Sequence, residues 1–103
     1  MRRMYYAHYA QHELMVENTW IAGIKLYVDN RLVDVSYAPF VLQEETLLRT
    51  RLGDSQNGPV VEVKVRSGLM DVHVRILVDG SELAVQTGLK HRAKRLETPS
   101  GSA

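Results

Sequence analysis

At 103 residues, 45% hydrophobic and 24% charged, the chain has the size and composition of one globular domain. It contains no cysteine, which excludes disulfide scaffolds, thiolate metal sites and cysteine nucleophiles, and no apolar run approaches the roughly 18 residues of a membrane-spanning helix. The net charge of +1 is unevenly placed: Lys90, Arg92, Lys94 and Arg95 supply four of thirteen cations, leaving nine against twelve acids elsewhere, a mildly acidic body with a basic tail.

Met1-Arg2-Arg3 is followed by Tyr5-Tyr6-Ala7-His8-Tyr9, too polar for a signal-peptide core, so the expected compartment is the cytoplasm. Residues 4–11 read equally as a short helix or a strand, because Ala7, Ala10 and Gln11 favour helix while no clean apolar stripe forms. Residues 12–18 read as a strand, with Leu14 and Val16 on one face and Glu13, Met15 and Glu17 on the other. A connection through Trp20 ends at Gly23.

The run Ile24-Lys25-Leu26-Tyr27-Val28-Asp29-Asn30-Arg31-Leu32-Val33-Asp34-Val35 alternates apolar and polar residues about an Asp-Asn tip, which predicts a hairpin. Pairing Val28 with Val33, Leu26 with Val35 and Ile24 with Tyr37 places all six on one face. Pro39 ends that ladder. Residues 39–52 carry helix punctuation, namely Pro39, Glu44, Glu45 and Gly53, but Thr46 to Leu52 also alternates, and a chain of strands favours the strand. Residues 53–59 are a loop.

Val61, Val63 and Val65 alternate with Glu62, Lys64 and Arg66 as a strand. The run from Val72 to Val85 then repeats the hairpin design about an Asp79-Gly80 tip, with Leu83 and Val85 on the return. Setting Arg66 against Asp71, Lys64 against His73 and Glu62 against Arg75 makes two of three outward pairs opposite in charge. Residues 90–103 have no apolar periodicity and are expected to be a disordered tail.

Two hairpins of one design each need a second layer, which predicts an all-β, antiparallel sandwich or bent barrel-like double sheet of about eight strands over residues 1–89. Its expected core is Leu26, Val28, Val35, Val63, Val65, Val74, Ile76, Val78 and Leu83.

The order of these motifs resembles the Fas apoptosis inhibitory molecule family: hairpin tips at Val28-Asp29-Asn30 and Val78-Asp79-Gly80, a crossover carrying Glu45-Thr46-Leu47, and a Gly68 loop. The resemblance spans residues 12–86. It implies a two-sheet antiparallel sandwich of repeated hairpins acting as a non-catalytic regulatory module through protein contacts. That family contains cysteine and this chain does not; the Trp20-to-Gly23 connection and the basic tail have no counterpart in it, and no functional residue carries over.

Arg49, Arg51, Lys64, Arg66, His73 and Arg75 should share the outer face of the sheet formed by the last four strands, a candidate anion or nucleic-acid surface. Glu62, Asp71 and Glu82 intersperse with it and aromatic residues for stacking bases are nearly missing, so nucleic acid is the weaker expectation. His8 and His12 would share a face only if their segment were helical, and no metal site is expected. Ser36, Ser55, Ser67 and Ser81 lack a nucleophile-elbow context, no Gly-rich phosphate loop is present, and neither catalytic residues nor a cofactor are predicted. A pocket between or at the mouth of the sheets, flanked by His8, His12 or His73, remains an alternative. Trp20, Tyr27, Leu69, Met70 and Leu77 lie in loops or face outward and form the expected interface of a homodimer, or of a contact with another protein.

Overall fold

The computed structural model describes residues 2–19, 23–37, 43–67 and 72–88, and among these the chain is all-β. Nine strands run β1 Arg2–Tyr9, β2 His12–Thr19, β3 Gly23–Val28, β4 Arg31–Ser36, β5 Glu45–Arg51, β6 Val60–Ser67, β7 Val72–Val78, β8 Ser81–Glu82 and β9 Gln86–Gly88. They form two antiparallel sheets, sheet A in the order β4-β3-β2-β1-β9 and sheet B in the order β5-β6-β7-β8, not closed into a barrel. The helix considered for residues 4–11 does not form. β1 pairs with β2 through its whole length, from Arg2 opposite Thr19 to Tyr9 opposite His12, so ladder pairing overrides the local helix formers.

Each sheet contains a four-stranded meander, and the two share one register. Leu14 faces Val28 and Val16 faces Leu26 in sheet A; Val61 faces Val78 and Val63 faces Ile76 in sheet B. Leu14, Val16, Leu26, Val61, Val63 and Ile76 have no exposed surface, and Tyr5, Ala7, Ile24, Leu48, Leu52, Val65 and Val78 complete the core between the sheets. Of the expected core, Val28, Val74 and Leu83 are partly buried against this cluster.

Val35 is not in the core. The tip residues Asp29 and Asn30 both adopt positive φ (51° and 71°), which makes a two-residue turn setting Val28 opposite Arg31; a bulge between Leu26 and Tyr27 then sets Leu26 opposite Asp34. This one-residue offset from the alternation-based pairing turns Val35 outward and Asp34 inward. Asp34 closes the seam between the sheets: its Oδ1 accepts the Val35 amide at 2.9 Å, and its Oδ2 accepts the Arg49 amide of β5 at 2.8 Å.

In sheet B the faces are as expected but the pairs differ. Arg66 faces His73, Lys64 faces Arg75 and Glu62 faces Leu77, two residues from the charge-based register. A two-residue slip leaves every valine inward, so hydrophobic alternation cannot distinguish the two. β8 is shorter than the sequence suggests. After Glu82 only Leu83 reaches back to Ile76, at 2.8 Å, before the chain crosses to sheet A and pairs Gln86, Thr87 and Gly88 with β1.

Leu26→Ala and Ile76→Ala remove equivalent, fully buried side chains from the two halves, and each should cost about 2–5 kcal/mol in urea denaturation. A loss below about 0.5 kcal/mol at either position would contradict the assigned core.

Candidate functional site

The two hairpin tips are built alike. In sheet A the Asp29 amide donates to the Glu13 carbonyl at 2.9 Å, and Asp29 Oδ1 accepts the Glu13 amide at 2.9 Å. In sheet B the Asp79 amide donates to the Val60 carbonyl at 2.9 Å, and Asp79 Oδ1 accepts the Val60 amide at 2.9 Å. Each aspartate thus clamps its tip to the start of the neighbouring strand, and its positive φ aims the side chain there.

The copies differ beside the clamp. Residue 59 of sheet B is proline, whereas the matching position in sheet A is His12, whose Nδ1 lies 2.7 Å from Asp29 Oδ2. A carboxylate only accepts, so Nδ1 carries the proton and Nε2 is left for other partners. The His12 ring borders a cleft of about 320 Å³ at this end of the sandwich, where the Asp29 tip meets the loop after β5. Arg31, Thr50, Arg51 and Asp54 also line it, together with Val28, Val33 and Leu52.

The loop forming one wall is held from within. Leu52 donates its amide to the Pro59 carbonyl at 2.8 Å, Gly58 donates to Ser55 at 3.1 Å, and Arg51 Nη1 donates to the Gly58 carbonyl at 2.8 Å. A side chain at Gly58 would collide with the Leu52 carbonyl oxygen.

Of the histidines considered for a pocket, only His12 borders this cleft. His8 faces the opposite side of sheet A, beside a hollow of about 340 Å³ shared with Tyr6, Ala7, Ala84 and Gln86. The two histidines cannot act as an i, i+4 chelating pair on a strand, and among the described residues no group of three or more metal-ligating side chains gathers. His73 is on the outer face of sheet B, opposite Arg66.

All six predicted cationic residues do lie on that outer face, but acids and oxygens occupy most of them. Arg75 bonds Glu44 at 2.8 Å and Glu82 at 3.2 Å, Arg49 pairs with Glu62 at 3.6 Å, and Lys64 donates to Thr46 at 2.9 Å. The hydrogen bond to Glu44 is the main cause that pushes Arg75 above its already high pKa.

Of the residues expected to form an apolar interface, Tyr27 and Leu77 are among those described. Trp20, Leu69 and Met70 lie outside the described residues, as does the basic tail. Leu77 faces outward yet is only 6% exposed. Tyr27 is half-buried and donates its hydroxyl to Glu17 at 3.1 Å, while Arg2 holds the other Glu17 oxygen at 3.2 Å. Burial, followed by the Glu17 hydrogen bond, raises the Tyr27 pKa and keeps that hydroxyl a donor.

Among the described residues, the large apolar side chains that stand exposed are Leu32, Val33 and Tyr37 at 50%, 40% and 70%, all on or beside β4. Leu32 ends a row that crosses the outer face of sheet A as Tyr6, Met15, Tyr27 and Leu32. The bulge that shifts the β4 register produces this exposure, and alternation alone cannot reveal a bulge.

The chain matches no family model, no curated protein and no solved structure, so the functional reading stands on the fold and its surfaces.

Gly58→Ala should cost more than about 2 kcal/mol, whereas Gly53→Ala, with positive φ but open space around it, should cost only about 1 kcal/mol. Equal costs in thermal or urea unfolding would contradict a loop held by the close approach at Gly58.

Proposed function

We propose that the chain is a cytoplasmic, non-catalytic binding module that self-associates through the β4 side of sheet A. The observation that carries this reading is the concentration of exposed large apolar side chains at Leu32, Val33 and Tyr37, on or directly beside one strand. Tyr27 extends the patch inward, and β4 is an edge strand whose outward residues can meet their own symmetry mates across a two-fold axis. The resemblance of residues 12–86 to the Fas apoptosis inhibitory molecule family points to the same class of function, action through protein contacts.

Fully burying such a side chain contributes about 1.5–3 kcal/mol, so at the observed exposures six of them, three from each copy, contribute roughly 5–10 kcal/mol. Association itself costs about 4–15 kcal/mol, which makes the expected dimer weak and concentration-dependent. Polyanion binding by the outer face of sheet B has less in its favour, because Glu44, Glu62 and Glu82 already pair with Arg75 and Arg49.

Sedimentation velocity over a concentration series should show a monomer–dimer equilibrium that a Leu32→Asp, Tyr37→Asp double variant abolishes without loss of melting temperature. A wild type that stays monomeric at about millimolar concentration, or a variant that assembles like the wild type, would overturn the reading.

A further inference from the structure

We infer that the cleft between the Asp29 tip and the loop after β5 is a binding site for a small organic oxyanion, a carboxylate or phosphate monoester with a compact apolar body. Arg31, Arg51 and His12 are among the residues that line the cleft. Arg31 makes no side-chain hydrogen bond or ion pair among the described residues. Arg51 commits Nη1 to the Gly58 carbonyl, which fixes the guanidinium and leaves further N–H donors in its fork. Planar guanidinium forks match the oxygens of carboxylates and phosphates, and the uncommitted fork of Arg31 is the first cation an oxyanion entering the cleft would meet.

The comparison of the two hairpins separates binding from architecture. The Asp79 clamp is complete with proline at residue 59, so the equivalent clamp in sheet A does not require His12. His12 adds a ring whose Nδ1 is tied to Asp29 at 2.7 Å and whose Nε2 remains for the cleft. That tie sets the ring orientation, as a carboxylate does for ligand-binding histidines generally. In its protonated form the ring supplies a third donor. Asp29 is occupied by His12 and the Glu13 amide, which leaves Asp54 as the acid that disfavours a ligand with a second negative charge.

The volume, about 320 Å³, is at the small end of ligand sites, and Val28, Val33 and Leu52 supply an apolar wall beside the charged one. This combination favours a single-ring or short-chain acid over a nucleotide or a polymer. The site is independent of the proposed self-association, although Val33 borders both surfaces.

The test is a titration of the full chain with benzoate, phenyl phosphate and inorganic phosphate in about 150 mM salt, followed by amide and imidazole NMR shifts. Saturable shifts should be confined to residues 12, 28–33 and 50–54. Their order separates the sources: benzoate tightest marks a carboxylate site, phenyl phosphate tightest a phosphate-ester site. Arg31→Gln and His12→Gln should each weaken binding about tenfold, the loss of one charge-assisted hydrogen bond. Lys64→Gln on sheet B should not. Sedimentation of Arg31→Gln should match the wild type, so a failed site and a failed dimer are read separately. Shifts spread over Arg49, Lys64 and Arg66, no saturation by about 10 mM of any probe, or undiminished binding by both cleft variants would overturn the proposal.

Discussion

The hairpin-tip aspartate is the constraint on which both halves of this sandwich depend. Asp29 and Asp79 each turn the chain with positive φ, return an amide to the neighbouring strand and accept an amide from it. That reciprocal pair fixes where β3 lies along β2 and β7 along β6, and so fixes which residues meet in the core. The identical registers, Val16 opposite Leu26 and Val63 opposite Ile76, follow from the two clamps. The six side chains with no exposed surface, Leu14, Val16 and Leu26 in sheet A and Val61, Val63 and Ile76 in sheet B, result from using one device twice.

With the cores matched, the halves differ where they face solvent. Sheet B carries charged rows on its outer face, with Arg49 beside Glu62 and Arg75 between Glu44 and Glu82. Isolated exposed pairs of this kind contribute about 0–1 kcal/mol each, and their main effect is to keep that face solvated. Sheet A carries Tyr6, Met15, Tyr27 and Leu32 in one row, ending at the exposed apolar residues of β4. Edge strands are commonly protected by inward charges and bulges, and β4 has both. Asp34 turns inward to hold the Arg49 amide, and the bulge after Leu26 bends the strand. The same bulge leaves Leu32 and Val33 uncovered, so sealing the seam and exposing apolar side chains have one origin.

Alternation in the sequence is enough to read the two-sheet class, the repeated hairpins, the inward set of Val61, Val63 and Val65 and the common outer face of the six cations. Its limit is any feature with period two or with a local irregularity. The β6–β7 pairing differs by two residues, a slip that alternation cannot see. The β3–β4 pairing differs by one, because the Asp29-Asn30 turn holds two residues rather than four and a bulge takes up Val33. The cleft is harder to read, since Arg31, Arg51 and Asp54 are brought to His12 by the packing of two sheets. One signal was present: aligning His12-Glu13 with Pro59-Val60 across the repeat shows a histidine where the architecture accepts proline.

The clamps are tested most directly by native-state hydrogen exchange at the amides of Glu13 and Val60, compared among the wild type, Asp29→Ala and Asp79→Ala. If each aspartate holds its own strand, Asp29→Ala should speed exchange at Glu13 by about tenfold or more and leave Val60 unchanged, and Asp79→Ala should do the reverse. Unchanged protection at both amides in both variants would contradict the clamps as the determinant of register.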